Sequence, residues 1–181
     1  MSLSSAGTPL ISNNRTPMSL NARTLFLLIF IGCLGLLGFG LYLQHTKGLE
    51  PCPLCVMQRY AFVLVGLVAL AAGLHGPKRK GIALYGIGVS LAALAGIVVA
   101  GRHVWLEHLP KDQVPSCGPG LDFILDSFPL TKALPLIFKG SGECADVVWR
   151  FLGMSISEWA LAWFVVFMLA GAALTFFRTR H

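Results

Sequence analysis

The chain has 181 residues, of which 55% are hydrophobic and only 12% charged, with a mean hydropathy of +0.73. A soluble domain carries about 25% charged residues, so composition excludes an ordinary soluble enzyme and points to a membrane protein. The formal net charge of +6 invites a nucleic-acid partner, but the placement of the basic residues assigns them to membrane topology instead, with no nucleic acid involved.

Residues 1–22 are rich in Ser, Thr, Asn and Pro, which predicts a disordered cytoplasmic tail. Thr24 to Leu43 follows as the first apolar run. Arg15 and Arg23 precede it as they would a secretory signal, yet the run exceeds the roughly 7–15 residues of a signal core and no small-residue cleavage site follows Leu43. It reads as a retained anchor. Val56 to Leu74, Gly81 to Gly101 and Ile156 to Phe177 are the other long apolar runs. Each approaches the roughly 20 helical residues that cross a hydrocarbon core of about 30 Å. Runs rich in Leu, Ala and Gly lack the alternation of a lipid-facing barrel strand, and a helix satisfies its own backbone amides in lipid. The expected fold class is an all-α membrane protein, a four-transmembrane-helix bundle with a long loop between helices 3 and 4. The helical domain would cover residues 23–178, with 179–181 as a cytoplasmic C-terminus.

Charge sets the orientation. Arg15, Arg23, Lys78, Arg79, Lys80, Arg178 and Arg180 fall in segments with no acidic residue, while all eight carboxylates fall in or, for Glu158, directly beside the alternating segments. The first set is therefore cytoplasmic by the positive-inside rule, and both termini are inside. Residues 44–55 and 102–155 then face the outer, periplasmic side of a bacterial inner membrane. Four of the five cysteines, Cys52, Cys55, Cys117 and Cys144, lie in these outer segments, in a compartment that oxidises thiols.

Pro51-Cys52-Pro53-Leu54-Cys55 opens the second helix. Proline is favoured at the first helical position, so Pro53 there makes Cys52 the N-cap and puts Cys55 in the first turn. The partial positive charge of a helix N-terminus stabilises thiolates and poises both sulfurs for exchange. A structural disulfide or a metal knuckle is the blander alternative for a C-x-x-C. Zinc would need a second close ligand pair, whereas Cys117 and Cys144 are far apart in sequence, so no metal is expected. Val114-Pro115-Ser116-Cys117-Gly118-Pro119-Gly120 and Gly140-Ser141-Gly142-Glu143-Cys144 are turn-rich. That second pair suits either a relay by thiol–disulfide exchange or a disulfide that staples the loop. Cys33, in the middle of the first helix, reads as an inert structural thiol.

Nothing in the sequence stores the electrons that thiol oxidation releases: there is no dinucleotide fingerprint and no haem or cluster ligand set. The expected acceptor is a lipid-soluble quinone near Cys55. Arg59 stands four residues after Cys55 on the same helix face. A cation inside an apolar helix is by default a functional-site hypothesis, although snorkelling to the headgroups also explains an Arg this near the interface. Arg102, His103 and His108 follow the third run at the same surface, as a polar rim or as ordinary interfacial residues. Trp105, Trp149 and Trp159 read as interfacial anchors, and the interrupted stretch Leu121 to Phe138 as a segment lying on the bilayer surface.

Taken together, Gln44-His45, Pro51-Cys52-Pro53-Leu54-Cys55 with Arg59, Arg102-His103-Val104-Trp105-Leu106, Cys117, Gly140-Ser141-Gly142-Glu143-Cys144, Phe151-Leu152-Gly153 and Glu158-Trp159 closely resemble the disulfide bond formation protein B (DsbB) family. The resemblance runs from about Gln44 to Trp159. It implies a membrane enzyme that reoxidises a periplasmic thioredoxin-like dithiol protein of the DsbA type and passes the electrons to ubiquinone or menaquinone. Cys117 would be attacked by the partner, Cys144 would pass the bond to Cys52, and Cys55 would meet the quinone beside Arg59. The implied resting disulfides are Cys52–Cys55 and Cys117–Cys144. The family's histidine near the quinone falls on His108 only with a gap, because the segment ending Leu106-Glu107-His108 is short. The vitamin K epoxide reductase type is the rival enzyme class, but there the C-x-x-C lies near a late helix. A membrane scaffold or small transporter with two structural disulfides is the non-enzymatic alternative.

Overall fold

The computed structural model of the chain describes residues 22–48, 51–110, 113, 127, 129, 131–132, 135, 137, 144–145 and 149–179, the last three without their side chains. Its framework is four long helices, α1 (Ala22–Lys47), α2 (Pro53–His75), α3 (Arg79–Glu107) and α4 (Ile156–Thr179). All four are long and apolar enough to cross a membrane. Cys117 and most of the stretch Leu121 to Phe138 lie outside the described residues, as does the tail at 1–21.

Helices α1 and α3 outrun their apolar stretches. α1 has 26 residues and α3 has 29, which at about 1.5 Å per residue is roughly 39 and 44 Å, against a hydrocarbon core of about 30 Å. The surplus stands at one end of the bundle, where α1 continues to Lys47 and α3 carries Arg102, His103 and Glu107 beyond the apolar run. At the opposite end, Gly76 closes α2 in the left-handed conformation (φ 55°) with its N–H on Ala72 O, and Pro77 follows. A side chain at that backbone angle would be strained, and glycine removes the penalty.

Neighbouring helices pack in chain order, and α3 lies most intimately on α4. There Gly86 and Gly171 face each other so closely that a Cβ on Gly86 would stand 2.8 Å from Gly171 O, and one on Gly171 would stand 2.7 Å from Gly86 O. Backbone contact of this kind is how helices associate where lipid removes the hydrophobic drive between them. Ser90 Oγ adds a hydrogen bond to Met168 O at 3.2 Å across the same seam. Higher up, the Phe164 ring rests over Gly96 and stacks on Phe62 with centroids 4.0 Å apart. Cys33 is 1% exposed in this core, packed against Gly66 of α2. Leu64, Leu67, Leu84 and Leu91 point outward instead, as side chains do when hydrocarbon is the solvent.

Just before α4 the chain forms a two-stranded hairpin, β1 (Arg150–Phe151) with β2 (Met154–Ser155), in antiparallel register Arg150↔Ser155 and Phe151↔Met154. Its two turn residues, Leu152 and Gly153, both have positive φ, 53° and 84°, the requirement of a type I′ turn.

Candidate redox site

The site is assembled at the end of the bundle where α2 begins and α3 finishes. Cys52 has extended backbone angles and caps α2, with Pro53 opening the helix, as the sequence predicts. Its Sγ accepts from Cys55 N at 3.3 Å, and its carbonyl accepts from Val56 N at 3.1 Å. One turn of helix therefore fixes both sulfurs, with Cys52 Sγ donating to Cys55 Sγ at 2.9 Å.

The two sulfurs face different surroundings. Cys52 is buried in a small cluster with Leu54, Leu106 and Cys144, whereas Cys55 is half-buried at its edge. Cys144 is fully buried, and its Sγ, Cys52 Sγ and a ring nitrogen of His103 all lie within 4.8 Å of one another. This sulfur junction brings two thiols close enough to exchange with one another, and its three donor atoms could also hold a metal ion. Hydrogen bonds with Cys144 and then Cys55, together with burial, hold the Cys52 thiol above its ordinary range. Here the structure departs from the expectation that the helix N-terminus activates both sulfurs: at Cys52 those contacts outweigh the helix dipole.

A chain of polar side chains backs the junction. Gln58 Nε2 donates to His103 Nδ1 at 2.9 Å, so the imidazole carries its proton on Nε2. That nitrogen stands 3.7 Å from Cys52 Sγ and 3.6 Å from Glu107 Oε1. The Glu107 carboxylate accepts from Ser157 Oγ at 2.6 Å and from Ser155 Oγ at 2.7 Å. Ser155 in turn caps α4: its N–H donates to Glu158 Oε2 at 2.6 Å, and Glu158 N–H donates to Ser155 Oγ at 3.2 Å. This reciprocal pair is a capping box, and it ties the start of α4 to the end of α3 through Glu107.

On the other side of Cys55 a cavity of about 130 Å³ opens between α1, α2 and α4. Its polar lining is Gln44, Cys55, Gln58 and Arg59, and the remainder is apolar. Arg59 Nη1 donates to Gln44 Oε1 at 2.7 Å, which uses one of the guanidinium's five donors. Through Leu36, Gly40, Leu43, Phe62, Ile156 and Ala160 the cavity shares its wall with an apolar groove of about 470 Å³, lined further by Phe39, Trp149, Phe151, Trp159 and Trp163. Trp149 stacks on Phe151 at 5.8 Å, and Trp159 Nε1 donates to Phe151 O at 3.1 Å.

Cys52, Cys55 and Cys144 are thus brought together, with Arg59 on the cavity side of Cys55. His108 is placed elsewhere: its Nδ1 lies 2.8 Å from Val104 O and its Nε2 lies 3.8 Å from Glu158 Oε1, and it is not among the residues lining the cavity. Sequence reading gives His103 only a place on a polar rim and gives Gln58 and Glu107 no role. The available signals were spacing: Gln58 lies three residues after Cys55, and Glu107 four after His103.

A family model described as "Disulfide bond formation protein DsbB" matches residues 22–174, which takes in α1 to α3, most of α4 and every residue of the junction. The chain belongs to the DsbB family. A disulfide bond formation protein B from Azoarcus sp. (strain BH72) is 56% identical over 141 residues, 78% of this chain and 84% of the relative. The corresponding protein of Aromatoleum aromaticum is 54% identical over 156 residues, 83% of this chain and 93% of the relative. That of Hahella chejuensis is 50% identical over 151 residues, with 83% and 92% covered. The chain is a multi-pass membrane protein of a family of disulfide-generating oxidoreductases.

Proposed function

We propose that the protein is a quinone-coupled protein-dithiol oxidase of the bacterial inner membrane, with both termini cytoplasmic and its redox cysteines on the periplasmic side. The observation that carries this reading is the division of labour within one C-x-x-C. Cys52 turns toward the third sulfur, Cys144, while Cys55 lines a cavity that continues into an apolar groove. A disulfide arriving or leaving at Cys52 is thereby coupled to whatever occupies the cavity at Cys55.

The soluble partner in this reading is a thioredoxin-fold protein of the DsbA type that presents a reduced dithiol. Its thiolate attacks Cys117, displacing Cys144. Cys144 then attacks Cys52, opening the Cys52–Cys55 disulfide, and Cys55 leaves as the thiolate. The partner's second thiolate closes the partner's own disulfide and releases Cys117, and the Cys117 thiolate takes Cys144 back from Cys52; each exchange replaces one disulfide by another, so two electrons reach the α2 pair for each disulfide made in the partner. The cavity fits a quinone by the chemistry of its lining: a guanidinium and two amides around the reactive sulfur suit a ring with carbonyl oxygens, and the aromatic groove suits an apolar tail. When bound, ubiquinone or menaquinone would supply a two-electron, two-proton acceptor. The role of this chain is to hold Cys55 and Arg59 at that ring and to keep Cys52 away from it.

The test is quinone reduction by a reduced thioredoxin-fold dithiol protein, with the full chain in proteoliposomes. The expected result is turnover that requires each of Cys52, Cys55, Cys117 and Cys144. A Cys55→Ser protein that still reduces quinone would overturn the reading.

A further inference from the structure

The junction holds a side chain that the four-cysteine scheme does not use. His103 is 5% exposed and reaches a reacting sulfur, and its protonation is fixed from behind by Gln58. We infer that His103 is a catalytic hydrogen-bond donor to the Cys52 thiolate, acting when Cys52 leaves the Cys52–Cys144 disulfide. This inference rests on the relay reading above.

In that step the Cys117 thiolate attacks Cys144 Sγ. The Cys117–Cys144 bond forms, the Cys52–Cys144 bond breaks, and the electron pair of the broken bond stays on Cys52 Sγ. One disulfide and one thiolate enter, and one of each leaves, so no further oxidant or proton is needed. The difficulty lies in the leaving group, because a sulfur departs faster the better its negative charge is stabilised. Cys52 is poorly served in that respect: it is buried, and its neighbours favour the thiol. Its helix-capping contact with Cys55 N supplies one donor, and the Nε2–H of His103 at 3.7 Å supplies the second.

The arrangement around the ring supports a donor kept in reserve. Besides the sulfurs of the junction, Nε2 faces Glu107 Oε1 at 3.6 Å, and both oxygens of that carboxylate already accept from serine hydroxyls. Glu107 therefore positions the ring without needing its proton, and the N–H remains available to sulfur as charge develops there. Such preorganised donors aimed at developing charge are a large catalytic term in buried sites. The titratable groups facing Cys52 among the described residues are Cys55 on its own helix, Cys144 from the α3–α4 connection, and His103 on α3 with Glu107 behind it.

The full chain in nanodiscs, reacted with a reduced thioredoxin-fold dithiol protein and quenched in acid at intervals, reports the Cys52–Cys144 species by peptide mapping. His103→Phe removes the donor and should lengthen the lifetime of that species at least tenfold, with His103→Gln, which retains an N–H, recovering part. In the reduced His103→Phe protein the pH for half-alkylation of Cys52 should rise by about one unit, the equivalent of that tenfold. A merely structural role would not move this midpoint. Equal lifetimes and equal midpoints in wild type and His103→Phe would overturn the inference while leaving the relay intact. Absence of any Cys52–Cys144 species in wild type would overturn both. Nitrogen-15 spectra of histidine in the wild-type protein provide an answer that requires no variant: the inference requires the Nε2–H form of His103 and a change in its Nε2 signal on reduction. A ring protonated on Nδ1 alone would refute it.

Discussion

Replacing Arg59 separates a residue that works on the acceptor from one that anchors the helix. Its guanidinium is half-buried, lines the cavity beside Cys55 and spends one donor on Gln44. Among the described residues that leaves four donors for an occupant and for solvent. A charge-assisted hydrogen bond contributes about 1.5–3 kcal/mol. At about 1.4 kcal/mol per decade, loss of one such bond in Arg59→Ala should weaken apparent quinone affinity or turnover by roughly 10- to 150-fold. Arg59→Lys should recover only part, since an ammonium keeps the charge but cannot hold Gln44 and a carbonyl oxygen with one planar fork. The assay is turnover against quinone concentration in nanodiscs for the three proteins, with reduced partner in excess. A chemical oxidant supplied in place of quinone should still form both disulfides in Arg59→Ala, because no sulfur has changed. Three superimposable quinone curves would refute the reasoning and leave Arg59 as an interfacial anchor.

Cys33→Ala should leave turnover within about twofold of wild type, because this thiol is buried in the helical core away from the junction and acts there as a small hydrophobe; disulfide mapping that found Cys33 oxidised at rest would contradict this. A partner whose second cysteine is replaced by serine should accumulate a mixed disulfide to Cys117 of the wild-type chain on non-reducing gels, because its first thiolate displaces Cys144 and nothing then releases Cys117, and Cys117→Ser should trap nothing; a mixed disulfide to Cys144 instead would exchange the roles of the two residues. In the reduced protein, Cys52 should alkylate more slowly than an unperturbed thiol at neutral pH: its pKa is raised, so its reactive thiolate fraction falls at a given pH and recovers only on the alkaline side. Competitive alkylation against pH, with mass spectrometric readout of each cysteine, checks that sign. Glu107→Leu leaves the Ser155 and Ser157 hydroxyls without their carboxylate, a loss of about 1–3 kcal/mol that should lower the thermal midpoint by several degrees, with Glu107→Gln between it and wild type; unchanged melting would show that this latch contributes nothing to stability.

The helices were legible because lipid imposes length and apolarity on each of them, and Pro53 after Cys52 was enough to place the cap of α2. Their outer ends were not: beyond the hydrocarbon, polar residues such as Arg102 and Glu107 continue a helix without any hydropathy signal. The two-stranded hairpin is a similar case. Its strands are two residues each, too short for alternation to register, and the turn sets Leu152, not glycine, at its first positive φ. At the site, the C-x-x-C and Arg59 announced themselves by spacing within one helix. His103 and Gln58 meet only because α2 and α3 pack side by side, 45 positions apart in sequence, and no local pattern records such a meeting. Glu107 looked like one more carboxylate of an outer segment, and only its burial beside two serines distinguishes it.

The anchoring of Cys144 in the bundle has a kinetic consequence. With this sulfur already seated against Cys52, and Cys117 tethered to it by the same chain, exchange between the two pairs in the proposed relay would be a first-order event governed by effective concentration rather than by how densely the protein populates the membrane. Two encounters of the proposed relay would remain second order, one with the soluble dithiol from the aqueous side and one with the acceptor from within the bilayer. They enter at separate sulfurs, so flux should saturate independently in each, and diluting the protein in lipid should slow neither the internal transfer nor the order in which the sulfurs are visited.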